Sequence, residues 1–304
     1  MVAAVFHKPM QAAESAAARP QSIVAAEQIL PAAATASATA TLRAPFDWRA
    51  VWLTVLPPAF GLALLVGVWG LLTFNSTTFP SPKATFDAAL VLFADPFYSK
   101  GPNDQGIGWN VLFSLKRVAL GFGMAAVVGI PLGFMLGRFA FFNHMVSPLV
   151  SLLRPVSPLA WLPIGLLVFK AADPAAIWTI FICSIWPMII NTAIGVQRVP
   201  QDYMNVARVL ALSEWKVITR ILFPAVLPYM LTGVRLSVGT AWLVIVAAEM
   251  LTGGVGIGFW VWDEWNNLNV KHIIIAIFVI GIVGLVLEQL IVSVAKRFSY
   301  DDHA

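Results

Sequence analysis

Ionisable and polar side chains inside long apolar runs are the residues of this chain with the means to do chemistry. Lys116 and Arg117 open one such run, Arg154 and Arg235 lie toward the ends of two others, and Glu249 sits late in a further one. Asn191, Thr192, Ser237 and Thr240 add an amide and hydroxyls. Charged groups in apolar spans are costly and are functional hypotheses by default. Each also has a plainer reading. Lys116 and Arg117 can snorkel to an interface. Arg154 and Arg235 can follow the positive-inside bias and touch lipid phosphate. Glu249 can pair with a basic residue or backbone donors, and the four uncharged groups can bond between helices.

The chemistry on offer is binding rather than bond-breaking. The one cysteine, Cys183, has no histidine in its run, and no His-Glu-x-x-His occurs, so an intramembrane enzyme lacks its groups. His7, His144, His272 and His303 are far apart, with no metal-ligand spacing. A Gly-x-x-x-x-Gly-Lys-Ser/Thr phosphate loop is absent from the sequence, so nucleotide cradling is not expected of this chain.

The elements that must position these groups follow from composition. Of 304 residues, 59% are hydrophobic and 11% charged, and mean hydropathy is +0.82. A soluble domain carries about 25% charged residues, so most of this surface faces lipid. The predicted class is all-α and integral to a membrane, with about six spans: Val51–Phe74, Val111–Leu136, Val146–Phe169, Ala175–Ile194, Tyr229–Leu251 and Ile273–Ala295. Each approaches the roughly 20 residues that a crossing needs. Pro155, Pro158 and Pro163 break the third, which is expected to kink or re-enter. Gly121, Gly129, Gly133 and Gly137 line the second and predict close helix packing. Residues 1–45 are read as a disordered, Ala-rich tail with one amphipathic turn at Ile23–Leu30, and 46–304 as the transmembrane domain. A cleaved signal peptide needs an apolar stretch that Met1–Arg19 lacks. With the N-terminus inside, thirteen Lys and Arg fall on the cytoplasmic side and six outside, which predicts N-in and C-in. That spread also explains a basic chain without nucleic acid.

The longest cytoplasmic connection is Gly195–Pro228. Tyr203, Val206, Ala207 and Leu210 recur at helical spacing, Asp202 sits where a helix start favours negative charge, and Ser213 is a candidate N-cap for a second short helix. Trp215, Ile218 and Leu222 form the apolar face of that second helix, and Pro224 with Pro228 is expected to end it. Two short helices between spans make a knob. It suits docking into a groove of another protein or lying on lipid headgroups, and periodicity does not choose between them.

This segment resembles the signature loop of binding-protein-dependent ABC importer permeases: Glu-Ala-Ala, a glycine four positions on, then an apolar stretch closed by proline. Asn205, Val206 and Ala207 stand at Glu-Ala-Ala, Ala211 at the glycine and Pro224 at the proline, so the last Ala and the Pro are kept. The runs LRPVSPLAWLPIGLL (Leu153–Leu167), WPMIINTAIGVQRVPQDYMNVARVL (Trp186–Leu210), PYMLTGVRLSVGTAWLVIVAAEML (Pro228–Leu251) and GIGFWVWDEWNNLN (Gly256–Asn269) are similar to the nitrate/nitrite/cyanate/bicarbonate permeases, relatives of the sulfonate and taurine permeases. The likeness extends over about Trp109–Phe298.

The resemblance implies a type I-like permease in a bacterial inner membrane. It implies a second copy of the chain, two ATPase subunits that bind ATP and Mg, and a periplasmic or lipid-anchored binding protein. This chain would hold no cofactor and hydrolyse nothing. Asp202, Tyr203, Asn205, Val206, Ala207, Arg208, Leu210, Ala211 and Ser213 would form the coupling loop. The Ala211 departure is costly only if the turn needs a positive φ. The cargo would be a small inorganic anion, nitrate or nitrite first, with bicarbonate, cyanate or sulfonates as alternatives. An anion path needs donors and positive potential without a deep trap, and Lys116, Arg117, Arg154, Asn191, Thr192, Arg235 and Thr240 are its candidates. Trp260, Trp262 and Trp265, with Asp263 and Glu264, would face the outside, where a binding protein could dock. An ion-coupled secondary transporter is the rival class, although no internal repeat or paired acidic residues support it.

Overall fold

The computed structural model describes residues 48–76 and 78–298. The predicted tail, 1–45, and its amphipathic turn lie outside them. The chain divides into two units, 1–56 and 57–304, and the sites below lie in the second. The described helices are α1 (Trp48–Thr73), α2 (Pro82–Ala94), α3 (Ile107–Arg138), α4 (Ala140–Leu153), α5 (Pro158–Phe169), α6 (Ala172–Gln197), α7 (Gln201–Val209), α8 (Glu214–Val217), α9 (Phe223–Thr252), α10 (Ile257–Asn266) and α11 (Val270–Phe298). A π-helical turn, Ile218–Leu222, joins α8 to α9. The outer helix α2 was not expected, yet its signal is plain: Ser81 caps it through Ala84 N–H and Pro82 occupies the first turn, where its missing N–H is no loss.

Five helices are long and apolar enough to cross a membrane, and α4 with α5 forms a sixth candidate bent by 101°. Whether that pair crosses or re-enters is decided by its neighbours. Gly121 meets Ile180, Gly129 meets Ile185 and Met188, Gly133 meets Thr192, and Gly137 meets Val196. The numbers rise together, so α3 and α6 run parallel, and the chain between them must return across the full thickness. α4 lies beside Ile189–Gln197 at one end, and α5 reaches the other, where Gly165 touches Ala175 and Trp178. The third span is therefore one broken crossing. Its break has a local cause: Pro158 bars Ser157 from helical angles, and Ser157 adopts φ −56°, ψ 135°.

The next two long helices, α9 and α11, alternate in direction. Ser237 meets Ser184, and Glu249 meets Arg117 near the start of α3, so α9 runs against both α3 and α6. Trp242 meets Ile280, and α11 runs back again. One end of the bundle carries the knob, and the other carries α2 and α10.

The glycine ridge on α3 is what lets α6 approach. A Cβ added at Gly133 would stand 2.6 Å from the Thr192 Cβ and 2.8 Å from the Ile189 carbonyl oxygen, whereas at Gly123 it would meet nothing within 4 Å. Overpacking of a tight contact costs about 1–3 kcal/mol. Gly133→Ala is expected to lower the unfolding midpoint of the purified chain, and Gly123→Ala to leave it or raise it. Equal midpoints for the two would remove the ridge from the account.

Candidate functional site

Two features stand out, one at each end of the bundle. The first is the knob. Pro200 opens α7, a place suited to proline because no N–H is needed there. Met204 and Ala207 turn inward and pack with Val196, Val199, Val217 and Leu222. The other apolar residues of α7 point away: Tyr203, Val206 and Leu210 are exposed, and Val209 is 86% exposed. Trp215, 74% exposed, adds to the same end. The expected stripe is thus divided, with Ala207 holding the knob to its seat and Tyr203, Val206 and Leu210 left bare. Asn205 Oδ1 accepts from Arg208 Nη2 at 3.0 Å, and Arg138 pairs with Glu214 at 3.0 Å, tying the knob to the end of α3.

One expectation for this loop is corrected. Pro224 and Pro228 do not end the second helix. The π turn beneath them moves Phe223 N–H onto the Ile218 carbonyl, which widens the helix where Pro224 has no N–H to give, and Glu214–Thr252 becomes one continuous 39-residue element. Ser213 does occupy the N-cap position, but its side chain makes no capping bond.

Ala211 has φ +49°, so the turn after α7 is left-handed and the costly branch applies. The Leu212 N–H bonds the Ala207 carbonyl at 3.0 Å across that turn. A non-glycine residue there costs about 1–2 kcal/mol, partly offset in the Ala/Gly comparison by glycine's greater unfolded freedom. Ala211→Gly is therefore expected to stabilise the knob by about 0.5–1 kcal/mol, read as slower hydrogen exchange over 201–213. Faster exchange would mean that the turn does not hold the knob.

The second feature is a buried ion-pair centre at the opposite end. Arg117 Nη1 lies 2.7 Å from Glu249 Oε1 and 2.6 Å from the Val255 carbonyl. Its Nε and Nη2 reach Asp173 Oδ1 at 2.9 and 2.7 Å. The side chains of Arg117 and Glu249 are 9% and 1% exposed. Ser114 Oγ lies within 2.9 Å of both Glu249 carboxylate oxygens and accepts from Ile257 N–H at 3.0 Å. Asn110 Oδ1 accepts from Gly256 N–H, and Glu249 Oε2 from Gly258 N–H. The α9–α10 turn is therefore fastened to α3 by its own amides. Glycine is required there: a Cβ at Gly256 would stand 2.3 Å from the Glu249 carboxyl carbon, and one at Gly258 would stand 2.1 Å from the Val246 oxygen.

This arrangement sorts the candidate pathway residues. Arg117 is neither snorkelling nor free to receive an anion, because two carboxylates hold it. Glu249 has the basic partner and backbone donor expected of it. Lys116, turned about 100° from Arg117 on the same helix, is exposed. Thr192 is fully buried at the α3 contact, and Asn191 bonds the Pro187 carbonyl of its own helix. Thr240 bonds Leu236 likewise. Arg235 pairs with Glu288 of α11, and both stay partly exposed near the middle of their helices. Arg154 is exposed at the α4–α6 groove, away from both. Trp260 is buried and stacked on His272 with centroids 5.7 Å apart, while Trp262 and Trp265 are exposed. Among the described residues no cluster of His, Cys, Asp or Glu could hold a metal ion.

Comparison with known proteins agrees with this architecture. Residues 129–300 match the family described as binding-protein-dependent transport system inner membrane component. The chain is 48% identical over 238 residues to the nitrate import permease protein NrtB of Synechocystis sp., covering 78% of this chain and 86% of that one. It is 42% identical over 248 residues to the bicarbonate transport system permease protein CmpB of Synechococcus elongatus, covering 80% and 89%. Among solved structures, a chain of the MetNI methionine ABC transporter in an inward-facing conformation shares the fold with a TM-score of 0.58 at 14% identity, over 63% of this chain and 95% of that one. This multi-pass helical chain belongs to the family of binding-protein-dependent transport system inner membrane components.

Proposed function

We propose that this chain is the permease of an ATP-driven importer, and that its cargo is a small inorganic anion, nitrate in the first place. The bare apolar tip of α7 is the observation that carries the coupling half of this reading. Exposed apolar patches rimmed by polar groups mark interaction sites, and here Asp202, Asn205 and Arg208 supply the rim. Tyr203, Val206 and Leu210 would enter a groove of an ATPase subunit, which binds ATP and Mg. Ser213 and Ala211 shape the turn beneath. The likeness to NrtB supports nitrate, and the likeness to CmpB makes bicarbonate the second cargo to test.

The route from knob to membrane is covalent. Glu214–Thr252 is one helix, roughly 58 Å long at 1.5 Å per residue. Movement of α7 and α8 is delivered to α9 through the π turn, a form that often sits at functional hinges. Near the middle of α9, the Arg235–Glu288 pair sits on an uncovered face. Charges facing lipid tails are costly, so this face belongs against water or a second copy of the chain. We place the anion path there, with Arg235, part exposed beside Glu288, as the charged donor, and with Thr240 and Asn191, which bond their own helices, as its polar lining. Two permeases would enclose it, two ATPase subunits would seat the two knobs, and a binding protein would deliver the anion at the α10 end of a bacterial inner membrane. Lys116, exposed at that end, would attract anions.

The test is uptake into proteoliposomes containing the permease, its ATPase subunits and its binding protein. Nitrate uptake that requires ATP and survives a tenfold excess of taurine supports the reading. Bicarbonate uptake without nitrate uptake would replace the cargo, and uptake without ATP would end the importer reading.

A further inference from the structure

α4 was expected to be the first half of a span, yet it is built differently from the other membrane helices. Asn143, Ser147, Ser151 and Arg154 follow one another at spacings of four, four and three, and so do Phe141, Met145, Leu149 and Leu152. At 100° per residue these are two stripes on opposite faces of one helix. The apolar stripe is bare, with each of its four residues more than half exposed. The polar stripe lines a cavity of about 340 Å³ closed on the other side by Ile190, Ile194 and Gln197 of α6. No carboxylate lines it, and among the described residues Arg154 has no acidic partner within 4 Å. α4 packs against α3 and lies beside Ile189–Gln197 of α6, at the knob end, where the bundle also carries Arg138, Arg198 and Arg208.

An apolar stripe opposite a polar one, at the end of a membrane bundle, is the pattern of a helix held at headgroup depth. A groove there that offers hydroxyls, amides and one unpaired guanidinium, and no acid, is complementary to an oxyanion. We propose that the α4–α6 groove binds the phosphate of an anionic phospholipid in the leaflet on the knob side. Arg154 supplies the charge, and Ser151, Gln197 and the Asn143 amide, whose oxygen already accepts from Ser147 Oγ at 2.8 Å, supply donors, while the bare stripe of α4 rests on the acyl layer. The lipid would fix α4 against α6 and so steady the broken crossing. A free oxyanion has the same chemistry, but the bare stripe sets α4 on the acyl boundary and so puts the groove at the depth of lipid phosphates, which decides for the lipid.

The site is tested without transport, so its result is independent of the importer reading. The full chain is placed in nanodiscs of phosphatidylcholine, or of phosphatidylcholine with phosphatidylglycerol, and bound lipid is counted after gentle extraction by native mass spectrometry. Phosphatidylglycerol is expected to be retained over phosphatidylcholine. Arg154→Gln is expected to lower that preference about fivefold, the effect of one basic residue at an anionic surface. Ser151→Leu, which fills the groove and leaves the charge, should lower it as well, so loss of charge attraction alone is separated from loss of the site. Inorganic phosphate at 10 mM, roughly the millimolar range of a weak anion site, should not compete. Unchanged retention in both variants would overturn the site, and full competition by phosphate would overturn the lipid as its occupant.

Discussion

Glu249→Ala is expected to cost about 3–5 kcal/mol of stability, the usual effect of removing one partner from a buried ion pair. The reason lies in what stays behind. Arg117 would keep Asp173, whose side chain is 67% exposed, and the Val255 carbonyl, but its charge would lose its one buried counter-ion. The Gly258 N–H would lose its acceptor as well, and a buried group left unpaired costs about 1–3 kcal/mol, whereas the Ser114 hydroxyl would keep the Asn110 carbonyl. Arg117→Ala should be comparably damaging, because it strands the Glu249 carboxylate in the bundle. The double variant should cost clearly less than the two single costs added, by an interaction of about 1–3 kcal/mol. Unfolding of the purified permease measures the free energies, and hydrogen exchange over 253–258 reports whether the α9–α10 turn has come free. Single variants within 1 kcal/mol of the parent chain, a bound taken from the median of exposed pairs, would show that the pair is not energetically buried.

Val206→Glu is expected to weaken the ATPase complex by roughly thirtyfold, taking about 2 kcal/mol for a central apolar anchor of an interface. Val206 is half exposed on the outward face of α7, so the substitution leaves the fold of the isolated permease untouched. Ala207→Glu differs in kind, because Ala207 is 3% exposed and packed in the knob's seat; it should unfold the knob itself. The contrast separates docking from folding. Subunit co-purification and the unfolding midpoint, measured on both variants, should move independently. A Val206→Glu chain that retains its ATPase at parental affinity would move the interface away from this face.

Apolar runs alone placed five helices, four of them within a few residues and the fifth with a late start at Tyr229, because length and hydrophobicity are summed properties that neighbours do not alter. The broken crossing was foreseen from its prolines, but its two halves were not assigned different jobs. The amphipathic stripes of α4 were masked by Pro148 and by the apolar residues that follow in α5. The knob was visible as a helix, while its junction with α9 was not. Proline normally ends a helix, and only the π register at Ile218–Leu222 shows how this one continues. The ion-pair centre had a signal that went unused: Asn110, Ser114 and Arg117 share one face at helical spacing, and a carboxylate as late in a span as Glu249 demands partners. That Asp173 joins them from α6, or that Glu288 answers Arg235, depends on which helices run side by side, and a single sequence does not carry that information.

On the proposed reading, this chain moves its cargo only as the seat of an ATPase docked on α7. The most direct test is to express the chain with its candidate ATPase and binding-protein partners, purify it gently, and repeat this with Arg208→Glu, which reverses charge on the exposed rim of the knob. The predicted result is an ATPase subunit that co-purifies with the parent chain and is lost from the variant, while the variant permease keeps its unfolding midpoint. A permease that purifies alone, and that transports when reconstituted without ATP, would contradict the claim.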